Sequence, residues 1–404
     1  MTSAFAQHWP ETFRYAKKHS PFYRELFRGL KNIPRLEELP TVDKTILSER
    51  NSDFLCVPRQ RIAEIVTTSG TTGKPLLWML TSSDVKRLAV NEKISFECAG
   101  ITSRDTVLVA VALDRCFIAG LAYWQGLCEL GCTVVRVGAS SAMLVLEMIE
   151  RVQPTAIVAV PSFLRVIADK ARETKFNLTH CSVKKVVCIG EPVRDGKFAL
   201  NNSGRAIEAA WGAKVFSTYG VTELANSLCE CGAGKGGHLH DQQLHLEILD
   251  DDGNILPDGE VGEVVATTFG VEAMPLIRYR TGDCAAIFRE PCQCGRQTPR
   301  LGPIVGRKNQ KLKFKGTSLF PSTLQAVLEE SGVEKFVIVA RQENELCDAI
   351  EVLVGGAAKI TALREAIQAR AKITPHIRRA SAAEIEKLQM PPGARKRRTF
   401  VDWR

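Results

Sequence analysis

No stretch of this chain is apolar for long enough to cross a bilayer. The longest uninterrupted run, Val107 to Leu113, stops at Asp114 and Arg115, far short of the roughly 20 residues that a membrane span requires. No secretory leader is expected either, since His8, Pro10, Glu11 and Arg14 fall where its apolar core would have to lie. Low-complexity tracts and internal repeats are absent, which excludes disordered and solenoid classes. No basic stripe is interleaved with aromatics. Much of the formal net charge of +9 is gathered in Lys308–Lys315 and Arg395–Arg398, and a small polyanion or plain solubility accounts for it as well as nucleic acid does. The expectation is a cytoplasmic protein with no membrane and no nucleic-acid partner.

What is present fits a soluble globular chain. With 404 residues, 45% hydrophobic and 25% charged, it is too long for one ordinary core, so two or more domains are expected. Thirteen cysteines without a leader argue for thiols and one metal site rather than a disulfide framework. Cys56, Cys98, Cys116, Cys128, Cys132, Cys181, Cys188, Cys284 and Cys347 lie in apolar segments and are expected to pack as small hydrophobes.

In chain order, residues 1–60 read as helices at Glu11–Lys18 and Pro21–Arg28 and a Pro-punctuated connection, a packing element. After residue 75, Ser82-Ser83-Asp84 is expected to cap a helix reaching about Cys98. From Thr106 to Trp211, short apolar runs alternate with helical patterns, which predicts a parallel sheet with helices on its faces and ligands beyond the carboxyl ends of its strands. From His245 short alternating strands surround turns at Asp251–Asn254 and Pro257–Gly259, a β-rich subdomain covering about 240–303. The fold class is α/β: a large N-terminal domain over 1–305, of parallel-sheet layers plus the β-rich subdomain, and a small, mobile C-terminal α+β domain over 306–404.

The segment that carries chemistry is Thr67-Thr68-Ser69-Gly70-Thr71-Thr72-Gly73-Lys74-Pro75. Glycines let a backbone approach a ligand closely; consecutive N–H groups, hydroxyls and one ammonium aim donors at an anion. It is not a Walker A loop, because Gly70 and Gly73 are too close together and Pro75 stands where that motif needs a hydroxyl. Downstream come Ser217-Thr218-Tyr219-Gly220-Val221-Thr222-Glu223, then Tyr279-Arg280-Thr281-Gly282-Asp283, then Gly306-Arg307.

That order and spacing resemble the adenylate-forming acyl/aryl-CoA ligases, and within them the phenylacetate-CoA ligase family, whose punctuation is matched by Ser20-Pro21-Phe22-Tyr23 and Leu319-Phe320-Pro321-Ser322. The resemblance covers nearly the whole chain. It implies a phosphate loop of Thr68, Ser69, Gly70, Thr71, Thr72, Gly73 and Lys74 over the ATP β- and γ-phosphates. Tyr219 and Gly220 would lie at the adenine, Gly190 and Glu191 would contact it, and Thr222 would reach the α-phosphate. Glu223 would take magnesium, since that ion binds one or two carboxylates plus substrate phosphates. Asp283 would accept the ribose hydroxyls, with Arg307 beside it. Matching Asp402 and Arg404 to the family's terminal segment puts Lys396 at the catalytic lysine; the rival reading is a solvated basic run, Arg395–Arg398. Two departures stand out: Arg395 replaces the glycine usual before that lysine, and Asn309 and Gln310 replace acidic residues after the hinge arginine.

A second constellation is Cys229-Glu230-Cys231 with His238, His240 and His245, followed by Cys292-Gln293-Cys294-Gly295. Two thiols one residue apart can share a metal with thiolate and imidazole groups from an earlier loop, giving a tetrahedral zinc site. The family's register selects Cys231, His238, Cys292 and Cys294 as structural ligands, with Cys229 and His240 as fallbacks. The expected activity is ATP-dependent conversion of a carboxylic acid, aromatic or arylalkyl such as phenylacetate, to an acyl-adenylate and then an acyl-CoA. Tyr123, Trp124, Phe163 and Phe216 would line the acid pocket. Two alternatives stay open: transfer to a carrier-protein thiol or an amine, and a non-catalytic nucleotide-binding module. The oligomeric state is open too, a homodimer included.

Overall fold

The computed structural model describes residues 3–68, 76–314, 317–344, 347–391 and 397–404. The chain divides into two compact units, Met1–Thr281 with Ala285–Ile304, and Gly282–Cys284 with Val305–Arg404. No helix among the described residues is long and apolar enough to cross a membrane.

The first unit opens with α1 (Ser3–His19) and α2 (Pro21–Leu26). Helix α1 runs through Pro10, so it begins earlier than the Glu11 expected from the sequence. Ser20 caps α2, its hydroxyl accepting from the Tyr23 N–H. Next come α3 (Lys44–Glu49) and the antiparallel pair β1 (Ile62–Thr67) and β2 (Leu77–Thr81). Helix α4 (Ser82–Cys98) is capped by Thr81 rather than by the serines, because Thr81 and Asp84 satisfy each other's backbone N–H in a capping box.

There follow β3 (Thr106–Ala110), α5 (Ile118–Leu130), β4 (Thr133–Arg136), α6 (Ala142–Val152), β5 (Ala156–Ala159), α7 (Pro161–Glu173), β6 (Lys185–Cys188), α8 (Asn202–Trp211), β7 (Lys214–Val221) and β8 (Asn226–Cys229). The sheet order is β4-β3-β5-β6-β7-β8, parallel throughout except for the antiparallel β7–β8 pair. Alternate residues of each strand face opposite sides. Leu108, Ala110, Ile157, Ala159 and Val186 join a core with residues of α6, α7 and α8. Val107, Val109, Val158, Val187 and Phe216 join another with Phe96, Tyr123 and Leu127. Cys116 and Cys128, expected inside, are exposed: Cys116 occupies a left-handed turn before α5, and α5 directs Tyr123 and Leu127 inward.

The β-rich part contains β9 (Gly237–His238), β10 (Leu244–Leu249), β11 (Gly262–Thr268), β12 (Tyr279–Ala285), β13 (Ile287–Phe288) and β14 (Arg300–Leu301). Helix α4 is welded to it by a buried polar seam. The Arg87 guanidinium donates to the carbonyls of Phe269 at 2.7 Å, Gln243 at 2.7 Å and Ala225 at 3.0 Å. Asn91 accepts from the Ser227 N–H, and the Ser227 hydroxyl donates to Glu92 at 2.7 Å. Close packing of α4 on α5 requires Gly126, where a Cβ would lie 2.4 Å from that of Glu92.

The second unit contains β15 (Gly306–Arg307), the hairpin β16 (Leu312–Phe314) and β17 (Thr317–Leu319), α9 (Pro321–Glu330), β18 (Phe336–Asn344), β19 (Cys347–Val354), α10 (Ile360–Ala371), β20 (His376–Arg379), α11 (Ala382–Gln389) and β21 (Phe400–Asp402). Its sheet runs β20-β19-β18-β21. Ile338, Ala340, Val352 and Val354 pack with α9 and α10; Val337, Val339 and Leu353 pack with Ile385 of α11.

Burial pushes the Glu92 carboxyl up to about 8. The folded protein therefore keeps a proton that the unfolded chain releases near the ordinary value of 4.5, and stability falls as pH rises between the two. From pH 4.5 to 7 this one group costs on the order of 3 kcal/mol. Glu92→Gln, which cannot ionise, is expected to flatten the fall of melting temperature between pH 5 and 8, measured by calorimetry.

Candidate active site and metal centre

The polar end of β7 builds the first site. Thr222–Leu224 form a single 3-10 turn that stops at Ala225, in the left-handed conformation. Arg87 holds the Ala225 carbonyl, so the turn carrying Thr222 and Glu223 is fixed from behind. Burial draws the Arg87 guanidinium down to about 10, which leaves it charged at neutral pH. Tyr219 and Gly220 lie just before the turn, paired with Leu228 and Ser227 of β8.

Glu223 is only 4% exposed. Its Oε1 lies 3.1 Å from the Lys44 ammonium and accepts from the Tyr279 hydroxyl at 3.3 Å. Lys44 was not a sequence candidate, because the N-terminal segment read as packing and the contact spans most of the first unit. Its placement has identifiable causes. Val42 bridges to Tyr279, with Val42 N–H donating to the Arg278 carbonyl and Arg280 N–H to the Val42 carbonyl. The Arg278 side chain donates to the Leu39 and Glu37 carbonyls and pairs with buried Glu247 at 3.0 Å. Asp43 then caps α3, whose first residue is Lys44.

Of the expected phosphate loop, Thr68 is described; Ser69, Gly70, Thr71, Thr72, Gly73 and Lys74 lie outside the described residues, as does Lys396. Thr68 is 2% exposed, and its hydroxyl has no hydrogen-bond partner among the described residues. Gly190 takes a left-handed turn, φ +72°, after β6. The Glu191 carboxylate accepts from both the N–H and the hydroxyl of Ser162, at 2.9 and 2.8 Å, so it secures the head of α7. In the second unit, Asp283 and Arg307 face each other across β12 and β15, 3.3 Å apart.

The aromatic residues expected to line an acid pocket do not form one wall. Tyr123 and Phe216 share a core cluster, Phe163 packs against the cluster on the other face of the sheet, and Trp124 lies under the Arg136 guanidinium at 5.1 Å. Helices α5 and α7 contribute to cores on opposite faces of the sheet, which separates these side chains.

The metal-type cluster is in the first unit. One donor atom each from Cys231, His238, Cys292 and Cys294 lies within 4.8 Å of all the others. The Cys231 and Cys292 sulfurs are 3.5 Å apart, and the Cys294 sulfur is 3.4 Å from His238 Nε2. Four ligands on one tetrahedral zinc would stand roughly 3.5–3.8 Å apart, given its bond lengths. His238 Nδ1 meets the Thr298 hydroxyl at 3.2 Å, the outer-shell contact that leaves Nε2 for a metal. Burial draws this imidazole down to about 4, so it is neutral at physiological pH, as a ligand must be. The fallback candidates lie outside this cluster: Cys229 accepts from the Thr218 hydroxyl and His240 Nδ1 meets Asn91 at 2.6 Å.

The AMP-binding enzyme family model matches residues 30–272. A phenylacetate-coenzyme A ligase of Thermus thermophilus is 32% identical over 355 residues, covering 83% of this chain and 77% of the relative. The chain belongs to the AMP-binding enzymes, in their phenylacetate-CoA ligase family. A second member, from Pseudomonas putida, is 28% identical over 87% of this chain and 82% of its own length. A solved 2-hydroxyisobutyryl-CoA ligase in complex with an acyl-AMP shares the fold, with a TM-score of 0.82 at 23% identity over 98% of this chain and 88% of that one.

For a ligase of this family, removing Lys44 strips the charged neighbour from a buried carboxylate. Lys44→Met is expected to lower ATP–pyrophosphate exchange by about ten- to a hundredfold, the worth of one charge-assisted contact, with a raised KM for MgATP. Steady-state exchange assays at varied MgATP check it.

Proposed function

We propose that this protein activates an aromatic or arylalkyl carboxylic acid with ATP and passes the acyl group to CoA. The observation that supports the reading most is the buried Glu223 carboxylate at the end of β7, with Lys44 3.1 Å away, in a chain of the phenylacetate-CoA ligase family. A free carboxylate is a poor acyl donor, because its charge repels nucleophiles and oxide cannot leave. In the first step a carboxylate oxygen bonds to the α-phosphorus of ATP and pyrophosphate leaves. In the second the CoA sulfur bonds to the acyl carbon, AMP leaves, and the thiol proton is lost to solvent.

Each residue then has a task. Ser69, Thr71, Thr72 and Lys74 donate to the β- and γ-phosphates, Thr222 to the α-phosphate, and Tyr219 covers the adenine. Asp283 accepts the ribose hydroxyls, with Arg307 as its partner. Lys396 balances the charge that develops on the α-phosphate oxygens. Glu223, backed by Tyr279, would hold magnesium, which supplies charge neutralisation between the phosphates. Lys44 has to release Glu223 for that ion, and its ammonium then stands free for phosphate oxygens. Cys231, His238, Cys292 and Cys294 would hold a structural zinc: all four ligands are protein groups, and they join the turn after β8, strand β9 and the loop between β13 and β14.

Pyrophosphate exchange into ATP, driven by a panel of aryl and fatty acids, tests the first step. Aryl acids are expected to drive it, and Glu223→Gln to cut it by about a hundredfold; an inert panel with intact ATP binding would falsify the catalytic reading. CoA-dependent release of AMP separates transfer to CoA from transfer to a carrier thiol or an amine. For the cluster, elemental analysis of the purified protein is expected to find about one zinc per chain. Cys292→Ser should lose the metal and lower the melting temperature by several degrees, and full metal content in that variant would sink the assignment.

A further inference from the structure

Arg404 lies just beyond β21, yet its guanidinium reaches the segment that follows Arg307. Nη2 donates to the Asn309 carbonyl at 2.9 Å and Nη1 to the Lys311 carbonyl at 2.9 Å. Nη1 also donates to Asp348 at 3.0 Å, while Nε and Nη2 hold the two oxygens of Asp402 at 2.8 and 2.7 Å. These five contacts match the five N–H donors of a guanidinium, and the bidentate pair fixes its plane. The anchor is well set: Asp348 is 7% exposed and accepts from the Lys313 N–H at 2.6 Å. The hydrogen bond from Arg404 holds the Asp402 carboxyl below its ordinary range, so the pair stays charged at neutral pH.

Three pieces of the second unit meet on this side chain: the end of β21, the start of β19, and backbone from Asn309 to Lys313. A carbonyl oxygen moves with everything downstream of its own Cα–C bond. Holding the Asn309 and Lys311 carbonyls therefore makes Asn309–Lys313 part of the second unit's rigid body. Turning of the sheet β20-β19-β18-β21 relative to β15 is left to the backbone bonds between Arg307 and the Asn309 Cα. Because the grip is on carbonyl oxygens, it does not depend on the side chains at 309 and 310, which here are the neutral amides of Asn309 and Gln310.

We propose that Arg404 is a positioning residue for thioester formation, locking Asn309–Lys313 to the sheet β20-β19-β18-β21 so that this sheet turns relative to β15 on the bonds just after Arg307. The proposal rests on the reading that the chain makes an acyl-CoA in two steps, and takes that sheet to reorient between them.

The test uses the full chain with Arg404→Ala and Arg404→Lys, the latter keeping one charge without the fork, beside Asn309→Asp and Gln310→Glu. Limited trypsin digestion reads the lock directly. Cleavage after Lys308 and Lys311 is expected to quicken by about fivefold or more in Arg404→Ala, less in Arg404→Lys, and within about twofold of the parent in the 309 and 310 variants. Half-reaction kinetics read the consequence: CoA-dependent thioester release should fall by about tenfold in Arg404→Ala while pyrophosphate exchange stays within about twofold. Unchanged cleavage in Arg404→Ala overturns the lock, and an equal fall in both half-reactions overturns the positioning role in favour of general destabilisation. If the parent enzyme forms no acyl-CoA, the functional reading fails, and the digestion still decides whether Arg404 holds the segment.

Discussion

A carboxylate buried in a protein needs a counter-charge. Most of what is distinctive in the first unit serves that requirement at Glu223. The turn that carries it is held from behind by Arg87, a charged group whose own burial is offset by three backbone carbonyls. The counter-charge in front is Lys44, delivered by an N-terminal segment that Arg278 and the Val42–Tyr279 bridge pin in place. Unfasten any of these and Glu223 is either misdirected or left unpaired.

The Cys–His cluster joins other segments. Three sulfurs and one imidazole within 4.8 Å of one another bring together the turn after β8, strand β9 and the loop between β13 and β14, and Arg194 clamps the neighbouring Glu230 at 2.5 Å on the same turn. Arg404 in the second unit also ties segments together: one planar cation with several acceptors joins the end of β21, the start of β19 and the backbone from Asn309 to Lys313.

Much of the architecture could be read from the chain. A parallel strand covered on both faces needs a continuous apolar run, so Val107–Ala110, Ala156–Ala159 and Val186–Cys188 announced themselves, and their helices followed from the apolar period. Cys116 and Cys128 misled because an apolar neighbourhood in sequence does not say which side of a helix or turn faces water. Thr81 was passed over as the α4 cap because two serines follow it, and only backbone geometry shows which hydroxyl reaches the N–H of Asp84.

The sequence by itself determined which chemistry was on offer: a donor-rich glycine loop, acids at the ends of strands, and paired thiols, each set by residue type and local spacing. Tertiary structure decided who meets whom. Lys44 reaches Glu223, Arg87 reaches three distant carbonyls, and Arg404 reaches Asn309 and Lys311, because contacts between remote segments depend on how sheets and helices stack, and no local pattern of residues records that.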